Sequence, residues 1–261
     1  MEDYLRSYKS YSKKVVYQFK LGHGGIGDCI KYFMYLLHLC IQQKCRLYYQ
    51  VMHNPLEKYL RLKDPSMYIQ EKDLGPLVPI DVHGPLVVND QVMTQCTPFD
   101  LYDAYKEFEY PIHSIFTFSQ DIWYRKKEIF PFSDKYVSIH VRLGDKYLET
   151  DTQFVIVKND ERPFHEETLY RWIHTHRELP IVFFCDNQTF KMYVQEKFPY
   201  VRITSASVGH TSLLNSTEQH VIDAVTEFYI LTQSEQIVAN CNSGFSDMAA
   251  KFNRVPISYV E

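Results

Sequence analysis

Between residues 136 and 252, short apolar strands alternate with amphipathic helices, and no other feature constrains the fold as strongly. The pattern predicts strands at 136–141, 181–185, 201–204 and 236–239. Helices are predicted over 164–178, around Phe190, Tyr193, Val194 and Phe198, over 218–233 and over 245–252. In the 218–233 segment, Val221, Ile222, Val225, Phe228 and Tyr229 fall on one side at helical spacing. The 181–185 run is apolar throughout, as strands buried on both faces are. Parallel neighbours need a crossover long enough to hold a helix, so strict alternation implies a parallel sheet.

The first half begins the same way. Residues 15–21 read as a strand, Gly22-His23-Gly24-Gly25-Ile26-Gly27 as a tight turn, and a helix follows with Ile30, Phe33, Met34, Leu37 and Ile41 on one face. Asp28 lies near that helix start, where a carboxylate caps free amides. Residues 46–52 form the next strand, and 121–127 a further helix. The stretch 54–118 is rich in proline and turn residues, and few elements can be placed in it. The expectation is two α/β halves, 1–125 and 126–261.

A chain of 261 residues with 45% hydrophobic and 15% aromatic content has ample core and is not disordered. Its net charge of -4 gives no general attraction for nucleic acid or anionic lipid, so any phosphate must be met by a local site. None of the six cysteines forms a C-x-x-C pair, and most lie in apolar runs, which predicts buried free thiols and a reducing compartment. Residues 1–14 are polar and basic, unlike a secretory signal, and no apolar run reaches membrane-spanning length. A soluble, cytoplasmic protein with no membrane insertion is expected.

Open α/β sheets bind ligands beyond the carboxyl ends of their strands, and several loops there carry suitable chemistry. Gly22-x-Gly24-x-x-Gly27 formally satisfies the dinucleotide fingerprint. The acidic residue that would bind a ribose hydroxyl is missing, because the next strand ends near Gln50. That disfavours an NAD-dependent oxidoreductase of Rossmann type while leaving glycine amides free to approach a diphosphate; the bland alternative is a packing turn. His140-Val141-Arg142-Leu143-Gly144-Asp145 leaves a strand with a guanidinium, whose rigid fork suits phosphate. Asp186 and Asn187 end the 181–185 strand and suit a base or ribose, or else open the next helix as caps. Asn242-Ser243-Gly244-Phe245-Ser246 precedes the last helix and suits an anion, or plain capping. His174 and His176 fall on different faces of a helix and make a poor metal site.

Taken together, these segments resemble the superfamily of α-1,2-, α-1,6- and protein O-fucosyltransferases. Gly24-Gly25-Ile26-Gly27-Asp28 resembles its glycine turn, with Asp28 in place of the usual Asn. The 140–145 segment is close to its His-x-Arg-x-Gly-Asp signature. Cys185-Asp186-Asn187 resembles its Ser-Asp-Asp, departing at Asn187, and 242–246 is similar to its Asn-Ser-x-Phe-Ser segment, with Asp247-Met248 where tryptophans often stand. The resemblance implies a GT-B fold, two Rossmann-like domains facing across a cleft, and an inverting, metal-independent transfer from GDP-fucose or another GDP-sugar to a glycan hydroxyl. It implies donor contacts from Gly24, Gly25, Gly27, Asp28, His140, Asp186, Asn187, Ser243, Gly244, Phe245 and Ser246, with no further cofactor. Arg142 would meet charge on the β-phosphate. For the base, an acidic residue following the signature is expected: Glu149, with Asp145 and Asp151 behind it. Asp145 has the alternative of bracing the loop or pairing with Arg142.

Overall fold

Two parallel five-stranded sheets organise the chain. The computed structural model describes residues 2–52, 54–87, 89–102, 108, 110–132, 135–155, 157–207, 209–211 and 213–260. The first half runs α1 (Glu2–Ser7), β1 (Lys14–Lys20), α2 (Ile26–Gln43), β2 (Arg46–Met52), α3 (Asn54–Tyr59), β3 (Leu60–Leu62), β4 (Tyr68–Ile69), β5 (Leu77–Pro79), β6 (Met93–Cys96), β7 (Phe116–Phe118) and α4 (Gln120–Ile129). The second runs β8 (Val137–Val141), α5 (Glu166–Thr175), β9 (Ile181–Cys185), α6 (Gln188–Lys197), β10 (Arg202–Ile203), α7 (Glu218–Leu231), β11 (Gln236–Ala239), α8 (Gly244–Asn253) and β12 (Ile257–Tyr259). The sheet orders are β4-β2-β1-β6-β5 and β10-β9-β8-β11-β12, and β3 pairs antiparallel with β7 as a separate ribbon. Each long sheet is therefore a Rossmann-like half with its first strand at the centre, as the expected fold class requires.

Registers follow the apolar pattern, with Ile139 beside Phe183 on one side and Val238 on the other. One face of the second sheet is filled by Leu169 and Ile173 from α5 and Val194 from α6. Its other face joins a core that runs unbroken into the first half, through Phe33, Leu37, Phe116, Phe228 and Phe252. The far face of the first sheet holds a small cluster of Val16, Tyr48, Ile69 and Met93, with Leu74 and Leu77 packed against it. The boundary expected after residue 125 falls inside α4, where Arg125 Nε donates to buried Asp223 of α7 at 2.7 Å.

The predicted 164–178 helix is shorter in the structure, ending at Thr175. There the Thr175 hydroxyl donates to the carbonyls of Arg171 and Trp172 at 3.0 and 3.1 Å, taking acceptors from the last turn. In the 54–118 stretch the strands have two to four residues, too few for a period to be read. All six cysteines are unpaired, five of them buried. No helix among the described residues is long and apolar enough to cross a membrane.

The halves meet where α2 and α8 cross at their first turns. A Cβ on Gly27 would lie 2.2 Å from the Gly244 carbonyl carbon, so only a hydrogen fits there. A Cβ on Gly244 would meet nothing nearer than Asp28 Oδ1 at 3.6 Å. Gly27→Ala should therefore cost about 2 kcal/mol or more by overpacking, some 4–8 °C in Tm. Gly244→Ala should be near neutral. Thermal unfolding of both variants checks this; equal midpoints would contradict it.

Candidate functional site

Both central strands open at their carboxyl ends into loops that face each other. After β1 the chain turns through Gly22 and Gly24, whose φ angles of +88° and +117° lie where side chains are strained. Gly25 is the N-cap of α2, and its amide donates to Asp28 Oδ2 at 3.2 Å. Lys31 Nζ lies 3.4 Å from the other oxygen of that carboxylate. Because Gly27 packs on Gly244, the N-termini of α2 and α8 converge, and two sets of helix-start amides share one region. Ser243, the N-cap of α8, makes no capping bond with its side chain, and buried Ser246 donates to the Ser243 carbonyl at 3.4 Å.

The second sheet delivers Arg142 to this region. Asn240, at the end of β11, clamps its backbone: Oδ1 accepts the Arg142 amide at 2.8 Å and Nδ2 donates to the Arg142 carbonyl at 3.0 Å. Asp186, at the end of β9, holds both loop and side chain. It accepts Arg142 Nη1 at 2.5 Å, the Leu143 amide at 2.8 Å and the Gly144 amide at 3.0 Å. Asp145 pairs with Nη2, and Asp160 lies 3.5 Å from the same nitrogen while accepting Arg162 Nε at 2.8 Å. Gly144, at φ +107°, permits the turn, since a Cβ there would meet the Asp160 carbonyl oxygen at 2.4 Å. Burial works against the guanidinium charge, but Asp186, Asp145 and Asp160 outweigh it and hold the pKa above the usual arginine value. The result is a fixed cation with more carboxylate around it than it needs.

His140 lies beneath this loop on β8, stacked on Phe245 with ring centres 5.3 Å apart. Burial pushes its pKa down to about 4; Asp186 opposes that and Arg142 adds to it. Its Nδ1 is buried without a hydrogen-bond partner among the described residues. Phe245 in turn meets Phe228 edge-on at 5.3 Å, tying the site to the shared core.

The remaining expected residues are engaged in capping. Glu149 accepts the amides of Gln188 and Thr189 at 3.1 and 2.9 Å, at the start of α6. Asn187 is the α6 N-cap: Oδ1 accepts the Phe190 amide at 2.7 Å and Nδ2 donates to the Tyr147 carbonyl at 2.8 Å. Asp151 caps its own turn through the Gln153 amide at 3.0 Å. Gln50, where a ribose-binding carboxylate would stand, accepts from Gln18 Nε2 at 2.5 Å. Beside the Arg142 loop lies a cavity of about 770 Å³ walled by Leu143, Tyr147, Arg162, Phe164, Asn187 and Phe190, among others. Among the described residues, no group of three or more His, Cys, Asp and Glu is placed to hold a metal ion.

Sequence reasoning missed Asp160, Asn240 as a clamp, and His210. Asp160 lies in a polar run without a motif, and His210 in a loop without periodicity. Both act through tertiary proximity: the His210 ring lies 3.5 Å from where a Gly25 Cβ would stand, across the cleft.

No protein-family model matches the chain, and no curated protein matches it in sequence. Its fold is similar to solved fucosyltransferases. One is NodZ, an α-1,6-fucosyltransferase from Bradyrhizobium crystallised with GDP, with a TM-score of 0.57 at 12% identity, covering 94% of this chain and 93% of that one. Another is POFUT1 with GDP-fucose, with a TM-score of 0.59 at 10% identity, covering 96% and 98%. A third is a mutant of FUT1 from Arabidopsis thaliana with GDP, with a TM-score of 0.56 at 12% identity, covering 99% and 74%. These likenesses give the two-domain GT-B fold expected from the motifs.

The buried His140 makes a pH prediction. The folded protein keeps the ring neutral down to about pH 4, whereas the unfolded chain takes up the proton near 6.5. Between those values the unfolded state binds more protons. The contribution is therefore full above pH 6.5 and is lost as pH falls toward 4, by up to about 3 kcal/mol. His140→Phe keeps a ring against Phe245 and should flatten that acid-side decline. Urea midpoints of both proteins from about pH 4 to 7 test it, and parallel curves would contradict it.

Proposed function

We propose that the protein is a glycosyltransferase that moves fucose from GDP-fucose to a glycan hydroxyl, with inversion and without a metal ion. The observation that carries the reading is Arg142, braced beside two converging helix N-termini on a fold similar to enzymes crystallised with GDP or GDP-fucose. The diphosphate lies against Arg142 and the amides of Gly27, Gly244 and Phe245. As the bond between the sugar's anomeric carbon and the β-phosphate oxygen breaks, charge grows on that phosphate. A guanidinium already in place stabilises it without reorganisation. Displacing Asp145 or Asp160 from Arg142 keeps local charge balanced when the diphosphate enters.

The half spanning 126–261 holds the nucleotide sugar, and 1–125 shapes the acceptor side. The aromatic cavity beside Leu143 and Asn187 receives the base, whose faces stack on Tyr147, Phe164 or Phe190. Asp186 serves the reaction through Arg142, which it orients with three bonds. Attack from the face opposite the leaving diphosphate gives inversion in a single displacement.

Calorimetry with GDP, UDP and NAD, without added metal, tests the donor site. Guanine-selective binding is expected. GDP release from GDP-fucose should fall about 10²–10³-fold in Arg142→Ala, and lysine at this position should not restore it. Binding of NAD alone, or of none of these nucleotides, would overturn the reading.

A further inference from the structure

Between β10 and α7 the described residues 205–207, 209–211 and 213–216 include His210, whose ring lies beside Gly25 of the first half. Both ends of this loop are pinned. At the start, Lys191, fully buried, donates from Nζ to Thr204 at 2.8 Å and to Glu227 at 2.7 Å. Asp223 accepts the Ser207 amide at 2.8 Å, on the same carboxylate that holds Arg125. At the end, Thr217 caps α7, and Glu218 is held by Lys58 and by Tyr59, the latter at 2.6 Å, both from the first half. Within the loop, the His210 carbonyl accepts the Leu213 amide at 3.3 Å and the Ser216 hydroxyl. Thr211 and Leu213 are buried beside it, while Leu214 is exposed.

That framework presents His210 to the other half. Its Cε1 and Nε2 lie 3.5 and 3.6 Å from the position of a Gly25 Cβ. Charged groups from three elements act on its titration: Asp28 on α2, Arg142 and Asp145 after β8, and Asp186 after β9. Burial is the strongest influence on its titration and lowers its pKa; Arg142 acts in the same direction, and the three carboxylates oppose. Burial and Arg142 thus favour the neutral ring, and a neutral imidazole has one nitrogen that accepts a proton. Glu149, the carboxylate expected in that role, is engaged by the α6 amides.

We infer that His210 is the base of the transfer, its Nε2 taking the proton of the attacking hydroxyl between the donor and acceptor halves. The inference rests on the glycosyltransferase reading. The hydroxyl oxygen bonds to the anomeric carbon as that carbon's bond to the β-phosphate oxygen breaks. The electron pair leaves with GDP, and the hydroxyl proton passes to Nε2 and then to solvent.

Hydrolysis of GDP-fucose, with water as the attacking hydroxyl, needs no identified acceptor and tests the role. His210→Gln should lower the rate about 10²–10³-fold and remove the acid limb of the kcat/KM profile. Its GDP affinity should stay within about threefold of wild type. In the unaltered protein, NMR titration of the His210 ring should show its pKa rising when GDP binds, because the diphosphate adds negative charge beside it. A variant that hydrolyses at the wild-type rate, or a ring whose titration bound GDP leaves unmoved, would overturn the assignment and leave the donor reading standing. Failure of GDP to bind the wild type would overturn both.

Discussion

The site depends on one carboxylate. Asp186 reaches from the end of β9 to the Arg142 guanidinium and to two successive backbone amides of the neighbouring loop. A buried charge is costly without partners, and removing one partner of such a pair commonly costs about 3–5 kcal/mol. Here the partner also fixes the loop, so side-chain charge and backbone path are set together. Asn240 does the same from β11, and the central strand's loop is gripped from both sides. Parallel β9, β8 and β11 are what bring these three side chains to one edge.

Around that cation the fold arranges a second source of positive potential. Gly27 on Gly244 lets two helix N-termini approach until their amides share a region, and Asp28 accepts the Gly25 amide there. Partial charges at helix starts are modest singly but add where they converge. The shared core through Phe116, Phe228 and Phe252 holds this relation between the halves, because moving them apart would expose apolar surface. The chemistry proposed here, stabilising charge on a leaving diphosphate, requires such a fixed field more than it requires any single contact.

Much of this was legible in the sequence where a period or a motif existed. The bounds of β9 follow from an uninterrupted apolar run, those of β2 and β11 from mostly apolar ones, and the glycine turn and Arg142 loop are marked by their residues. The short strands β3–β7 carry too few residues for any period, and β12 is a three-residue edge. In the candidate site, the sequence singled out the Arg142 loop but not the groups that fold around it. Asp160 and His210 become neighbours of the site through folding, 18 and 68 positions downstream of Arg142 respectively. Glu149, near the motif in sequence, accepts the Gln188 and Thr189 amides, partners that no local pattern announces.

The most direct test of the account is a crystal structure of the protein with GDP. The account predicts the β-phosphate within about 3 Å of the Arg142 guanidinium, beside the Gly27 and Gly244–Phe245 amides, with Asp186 still bound to the arginine. GDP bound elsewhere, with Arg142 still closed on Asp145 and Asp160, would contradict it.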